Sequence, residues 1–427
     1  MLFRIFSVVV SLVIFGTPAK AQLRVVSFNT SNSSSSSAGP REGMGTILRA
    51  IGEAVSDDPT LPGDSGIVRP IDVLLLQESR AGMTAPAYAM LLNQIHNTTR
   101  YAAGTLAGAT TGAGTQAIVY NAEAVTLVSS AVVGVSTTSG QPRQVLRYQL
   151  RPAGYISDEG DLFVYNAHFK AGGTSTDESR RLVEANAIRA DADALPTSNV
   201  LYVGDFNIPR ASVDSYQRLQ SPGPAAALDP INAPGNWSGA AAFKAIHTQS
   251  PYDPAMSSGF SGSAGGVDDR FDFQLATASV ITGTKGLLYA TNSYMAFGNN
   301  GTHVMDAPIT TGTGAPAEVL EALASTVDHL PIVADYLLRP RPGMAYPGDA
   351  NLDQAITLTD FTALAASFGS SDAHWQLGDF TGDAAVNLDD FTLLAANFGT
   401  SARPAVPEPS AAIVVASFIL IFRRNAS

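Results

Sequence analysis

The stretch NVLYVGDFNIPR, Asn199 to Arg210, joins an apolar run, Val200 to Val203, to a polar ending of Asp205, Phe206 and Asn207. The run has the composition of a buried strand. Side chains alternate along a strand, so Asp205 and Asn207 share one face and Phe206 takes the other. Gly204 lets another backbone come close. A carboxylate and a carboxamide side by side at a strand end form either a polar turn or the rim of a site.

The same ending recurs. Strand-like segments LRVVSFN, VLLLQE, TQAIVYN, QVLRYQL, LFVYNAHF, NVLYVGDFN, RFDFQLA and LPIVADYLL run from residue 23 to 338. Between them, Met44 to Val55, Tyr88 to Ile95 and Glu178 to Leu195 read as helices, and the mixture predicts packed sheets flanked by helices. Asn29 closes the first strand, Glu78 the second, His168 ends VYNAHF, Asp272 lies in DDRFDF, and Asp328-His329 open VDHLPIVADY. Each alone has a bland reading as a turn former or a structural histidine. On neighbouring strands they would converge on one rim, as catalytic groups do on a rigid scaffold.

The chain has 427 residues, 45% of them apolar, which predicts two or three folded units, and no cysteine, which excludes disulfides and thiolate metal sites. Residues 1–21 read as a signal peptide, with Arg4, an apolar run through Phe15, and Ala19-Lys20-Ala21 for cleavage; an N-terminal membrane helix is the alternative. Ser33 to Ser37 form a low-complexity loop, and Pro222 to Gly239 and Ser257 to Gly266 read as long loops.

Near the other end the sequence repeats at a 30-residue offset. GDANLDQAITLTDFTALAASFG from Gly348 and GDFTGDAAVNLDDFTLLAANFG from Gly378 agree at 13 of 22 positions, one supersecondary unit used twice. Oxygen side chains fall at loop positions 1, 3, 5, 9 and 12: Asp349, Asn351, Asp353, Thr357 and Asp360, then Asp379, Thr381, Asp383, Asn387 and Asp390. That spacing wraps one hard cation in oxygens. Eight Asp and no Lys, Arg or Glu lie between Met344 and Ala402, so most of the net charge of −12 sits there. An acidic spacer is the plainer reading. The pair, residues 347–401, resembles a type I dockerin, a small helical module with two Ca²⁺ loops; it departs from the general EF-hand loop in having Gln354 and Ala384 at position 6 and Asp at position 12. Val406-Pro-Glu-Pro, an apolar run and Arg423-Arg424 follow. This tail, residues 405–427, resembles the PEP-CTERM sorting signal of Gram-negative envelope proteins, whose processing implies a membrane sorting protease as partner; a short C-terminal anchor is the alternative. Both place the protein outside the cell or in the envelope.

The ordered set SFN, QE, HFK, GDFN, RFDF, DHLP across residues 22–341 resembles the endonuclease/exonuclease/phosphatase superfamily, the DNase I-like fold. The resemblance implies an α/β fold, a four-layered sandwich of two sheets with helices outside, and attack of water on a phosphoester with Mg²⁺ or Mn²⁺. It also implies roles. Asn29 and Glu78 would hold the metal, completed by Asp328. His329 would activate water with Asp272 holding its ring, Asp205 would orient the nucleophile, Asn207 would bind a phosphate oxygen, and His168 would donate to phosphate or leaving group. Arg143 is the substrate-binding candidate, with Arg147 competing. The acid that partners the first histidine in the DNase branch is missing from GTLAGATTGAGTQAIVY.

HFKAG followed by TDESRRLVEANAIRADADAL resembles an extracellular nuclease branch, making nucleic acid the expected substrate, with Lys170, Arg180 and Arg181 as a local basic patch. The domain has no basic run, and phosphate-backbone binding relies on Lys and Arg. A phosphatase or phospholipase-type enzyme is therefore the alternative. An envelope adhesion or assembly protein, using the dockerin-like module on a cohesin-like partner, is the alternative from another class.

Overall fold

The computed structural model describes residues 22–33, 38–56, 60, 68–108, 113–135, 141–196, 199–256 and 259–401. The expected signal peptide and sorting tail, and Ser34 to Ser37, lie outside the described residues.

Thirteen strands occur among the described residues: β1 (Gln22–Asn29), β2 (Val73–Ser79), β3 (Tyr101–Ala103), β4 (Thr115–Asn121), β5 (Val125–Val133), β6 (Val145–Pro152), β7 (Leu162–His168), β8 (Val200–Asp205), β9 (Ala227–Leu228), β10 (Asp272–Thr277), β11 (Leu287–Tyr289), β12 (Met295–Ala296) and β13 (Ile332–Leu338). The helices are α1 (Met44–Gly52), α2 (Thr84–Ile95), α3 (Ser175–Asp193), α4 (Asp214–Gln220), α5 (Ala278–Thr282), α6 (Ala317–Thr326), α7 (Leu358–Ser367) and α8 (Leu388–Asn397).

Two sheets form. The first runs β11-β13-β1-β2-β4-β3, with β12 also on β13; the second runs β5-β6-β7-β8-β10-β9. Each is built around one parallel pair, β1 with β2 and β7 with β8, and each pair has an antiparallel neighbour, β13 and β10. Parallel strands end at the same edge, and an antiparallel neighbour begins there. Six strand termini therefore gather at one rim.

Alternation then sorts the side chains. Leu23, Val25, Val73, Leu75, Leu162, Val164, Leu201 and Val203 fill the space between the sheets. Val26, Phe28, Leu74 and Leu76 face outward against Ile47, Leu48, Tyr88 and Leu323 of α1, α2 and α6. Phe163, Tyr165, Tyr202 and Phe273 pack outward with Ala185, Ile188 and Tyr216 of α3 and α4, and with Trp237. The result is four layers, helix, sheet, sheet, helix, as expected.

The inter-sheet space changes character towards the rim. Above the apolar rungs comes a layer of neutral polar groups: Gln77 donates to Asn166 at 2.7 Å and Ser27 at 3.2 Å, and Gln274 donates to the carbonyls of Val25 and Ile332. The next inward-facing positions on β1, β7, β8 and β10 are Asn29, His168, Asp205 and Asp272. The site is the last rung of the core.

The acidic repeat folds as two loops followed by α7 and α8. It packs on the opposite end of the sandwich. Leu352 presses on Gly154, whose missing side chain leaves the room, and Gln376 donates to the carbonyl of Leu338 at 2.6 Å. Ala350, Leu352, Ile356 and Trp375 belong to the same buried cluster as Tyr155, Leu287 and Leu338.

Candidate active site

At the rim, Asn29 donates through Nδ2 to Glu78 Oε1 at 3.3 Å and to Asp205 Oδ2 at 3.2 Å, bridging the two sheets. Glu78 reaches this place because β2 is irregular. Its register shifts between Leu76 and Ser79, and Glu78 takes φ 53°, a left-handed conformation that side chains other than glycine rarely adopt. A bulge that re-aims a side chain beside a site is a recurring device. Ser33 Oγ donates to Glu78 Oε2 at 2.9 Å.

His168 and Asp205 lie opposite each other in register on the parallel pair, and Asp205 is also opposite Asp272. His168 Nε2 is 3.5 Å from Asp205 Oδ2 and 3.9 Å from Glu78 Oε1. His329 Nδ1 is 2.8 Å from Asp272 Oδ2, and its Nε2 is 2.8 Å from the Gln249 amide and 3.8 Å from Asp205 Oδ2. Asp205, Asp272 and His329 could together hold a metal ion. Asn207, at φ 51°, donates its backbone N–H to Asp205 Oδ1 and its amide to the Phe169 carbonyl. Arg143 Nη1 donates to that same carbonyl at 2.8 Å.

These eight residues are brought together. Asp328 is adjacent but engaged: it accepts from Ser31 Oγ and, at 2.8 Å, from the Ser263 N–H. Arg147 is elsewhere, paired with Asp191 of α3. Lys170, Arg180 and Arg181 are tied to Asp177, Gln141 and the carbonyls of Lys170 and Gly172. Residues that the sequence reading missed are Gln249, Ser31, Ser33, Glu184 and Arg41. Arg41 lies over the Phe260 ring and donates to the carbonyls of Thr30, Ser31 and Thr326, tying three rim segments together. Gln249 sits in an aperiodic loop that offered no signal.

Burial sets the electrostatics. It pushes the Asp205 carboxyl up, and the Asp272 charge adds to this against the opposing pull of His329. Burial alone would deprotonate His329, but the carboxylates of Asp272 and Asp205 outweigh it and hold the ring well above the usual histidine range. His168 goes the other way: burial, then the charges of Arg143 and His329, hold it well below that range. The rim thus has one neutral imidazole, one cationic imidazole and a carboxyl with raised proton affinity.

No family model matches the sequence, and no curated protein matches it. Solved structures similar to it include TDP2 of D. rerio complexed with single-strand DNA product, at 16% identity over 74% of this chain and 98% of that one, with a TM-score of 0.43. The human Nocturnin catalytic domain with bound sulfate matches at 12% identity over 74% and 94%, TM-score 0.38. An endonuclease/exonuclease/phosphatase family protein from Bacteroides thetaiotaomicron matches at 15% over 76% and 100%, TM-score 0.39. All three are distant likenesses.

Proposed function

We propose that the chain is a divalent-cation-dependent phosphoesterase of the endonuclease/exonuclease/phosphatase class and, within it, a nuclease hydrolysing nucleic-acid phosphodiesters. The observation that carries the class is the convergence of Asn29, Glu78, His168, Asp205, Asp272 and His329 from six strand ends on one rim. The nuclease reading rests on the resemblance of HFKAG and its following helix.

The donor set fits a hard cation such as Mg²⁺ or Mn²⁺. Two carboxylate oxygens, of Glu78 and Asp205, crowd against one carboxamide, and Mg²⁺ takes one or two carboxylates and keeps several waters. Asn29 and Glu78 would hold it; Asp328 buttresses them through Ser31. Such an ion supplies charge neutralisation for the phosphate and the leaving oxygen.

The chain's own groups divide the remaining work, and the electrostatics favours Asp205 over His329 as the group that accepts the proton. Asp205, with raised proton affinity, orients the attacking water and takes its proton. His329, cationic and held through Nδ1 by Asp272, turns Nε2 towards a non-bridging phosphate oxygen. His168 serves as a neutral donor to the developing charge. Asn207 and Arg143, both braced by the Phe169 carbonyl, line the phosphate position.

We read residues 347–401 as a dockerin-like Ca²⁺ module. Asp360 accepts the N–H groups of Ala350, Asn351 and Thr357, and Asp390 those of Phe380, Thr381 and Asn387, so each position-12 Asp closes its loop in the same way. Gln354 and Ala384 adopt φ 68° and 66°, the conformation that the usual glycine supplies. Asp379, Asp383 and Asp390 cluster closely enough to share an ion. A rigid spacer at the envelope, with export and tail sorting as the sequence suggests, is the role we assign; a cohesin-like partner is the competing one.

The test is the full chain with Mg²⁺ on plasmid DNA, RNA, a phosphomonoester and sphingomyelin, beside His329→Ala and an EDTA arm restored by Mg²⁺. Cleavage of nucleic acid that both controls abolish is expected. Turnover of only the small or lipid substrates would move the substrate class, and no turnover by the folded chain would sink the reading.

A further inference from the structure

Helix α3 turns Asp177, Arg181, Glu184 and Arg189 to its buried face, among Ala185, Ile188 and Ala192. An amphipathic helix normally keeps that stripe apolar, so each buried charge needs a partner. Glu184 is 2% exposed. Its two carboxylate oxygens accept one backbone N–H each, from Arg143 at 2.5 Å and from Lys170 at 2.9 Å. Arg143 precedes β6 and Lys170 follows β7, and the two strands are antiparallel neighbours. One carboxylate therefore clips together the open ends of two strands at the rim.

What hangs from the clip is the phosphate-facing set. The residue before Lys170 is Phe169, whose carbonyl braces both the Arg143 guanidinium and the Asn207 amide. The residue before that is His168. Arg143 Nε is buried with no hydrogen-bond partner among the described residues, and the guanidinium feels the charges of Asp205, Glu184 and Glu78.

We propose that Glu184 is a positioning residue of the active site, fixing the Arg143 guanidinium and the His168–Lys170 turn relative to each other through its two oxygens. This rests on the phosphoesterase reading above. The chemistry needs a carboxylate: glutamine has a single oxygen, and its amide nitrogen would oppose a backbone N–H.

The full chain, Glu184→Gln, Arg143→Ala and the double variant are compared on whichever phosphoester the parent chain hydrolyses. Backbone hydrogen exchange is read at Arg143 and Lys170. Glu184→Gln is expected to lower kcat by about 10-fold to 100-fold, the scale of a small misplacement. The double variant should be slower than Arg143→Ala by a smaller factor than Glu184→Gln is slower than the parent, because part of the Glu184 effect passes through the Arg143 guanidinium and part through the His168–Lys170 turn. Exchange at the two amides should accelerate. Effects that multiply in the double variant would overturn the proposal, as would parental kcat or unchanged exchange in Glu184→Gln. If the parent hydrolyses no phosphoester, the functional reading falls and exchange alone decides the clip. If Glu184→Gln does not fold, Glu184→Asp, which withdraws both oxygens by one methylene, takes its place with the same expectations.

Discussion

His329 has both ring nitrogens engaged, Nδ1 with Asp272 and Nε2 with Gln249, and nearly no exposure. A ring so held has one orientation to offer. Replacing it by alanine removes a charge from the rim, and on the proposed function kcat is expected to fall about 100-fold or more; steady-state rates on a phosphodiester measure this. Away from the rim, Asp72 gives a prediction about stability. Burial pushes its carboxyl up to about 6, against the hydrogen bonds from the Arg24 N–H and Asn121. With the folded value above the unfolded one, the stabilising contribution is complete below about pH 4 and is lost as pH rises to about 6. Over that window the native state holds one proton more, so stability falls by about 1.4 kcal/mol per pH unit from this group. Asp72→Asn should flatten the slope by that amount in urea titrations between pH 4 and 6.

Strand by strand, the architecture was readable where burial wrote a pattern. All eight strand-like segments of the sequence correspond to strands: seven are buried on both faces and largely apolar, and β6 alternates buried with half-exposed residues. The edge strand β5, VTLVSSAVV, escaped notice since most of its residues are partly or fully exposed and carry no such signal. The six polar strand ends were legible for a related reason: they interrupt apolar runs in step with the alternation. Gln249 and Ser31 were not, because a loop residue's contacts depend on how distant strands meet. Gly204 shows how one local letter enforces a pairing. It has φ 130°, and a Cβ there would stand 1.9 Å from the carbonyl oxygen of Ala167. Gly204→Ala must push β7 from β8, displacing His168 from Asp205. We expect a loss of about 3 kcal/mol or more, combining backbone strain with overpacking, seen as a lowered urea midpoint together with lost activity.

Taken as one molecule, the sandwich and its acidic module pack against each other across the boundary expected near residue 341. Leu352 from the first loop fills the hollow over Gly154, Ile156 donates its N–H to the Met344 carbonyl, and Gln376 donates to the Leu338 carbonyl. Removing residues 342–401 would uncover Tyr155 and Leu338. The chain ending at 341 is therefore expected to melt at a lower temperature than the chain ending at 401, whereas a freely tethered module would leave the melting temperature unchanged. Leu352→Ala should cost about 2–5 kcal/mol, the range for emptying a buried leucine site, and calorimetry should show one transition rather than two. The sequence carried both units but not their union, since Leu352 lies in a loop whose spacing speaks only of oxygens. That union leaves an optical signature. The chain has two tryptophans: Trp237 lies behind the second sheet and Trp375 inside the module, both almost fully buried. Each unit thus carries a single tryptophan, and tryptophan emission from the unlabelled protein can tell whether the two ends shift at the same denaturant concentration.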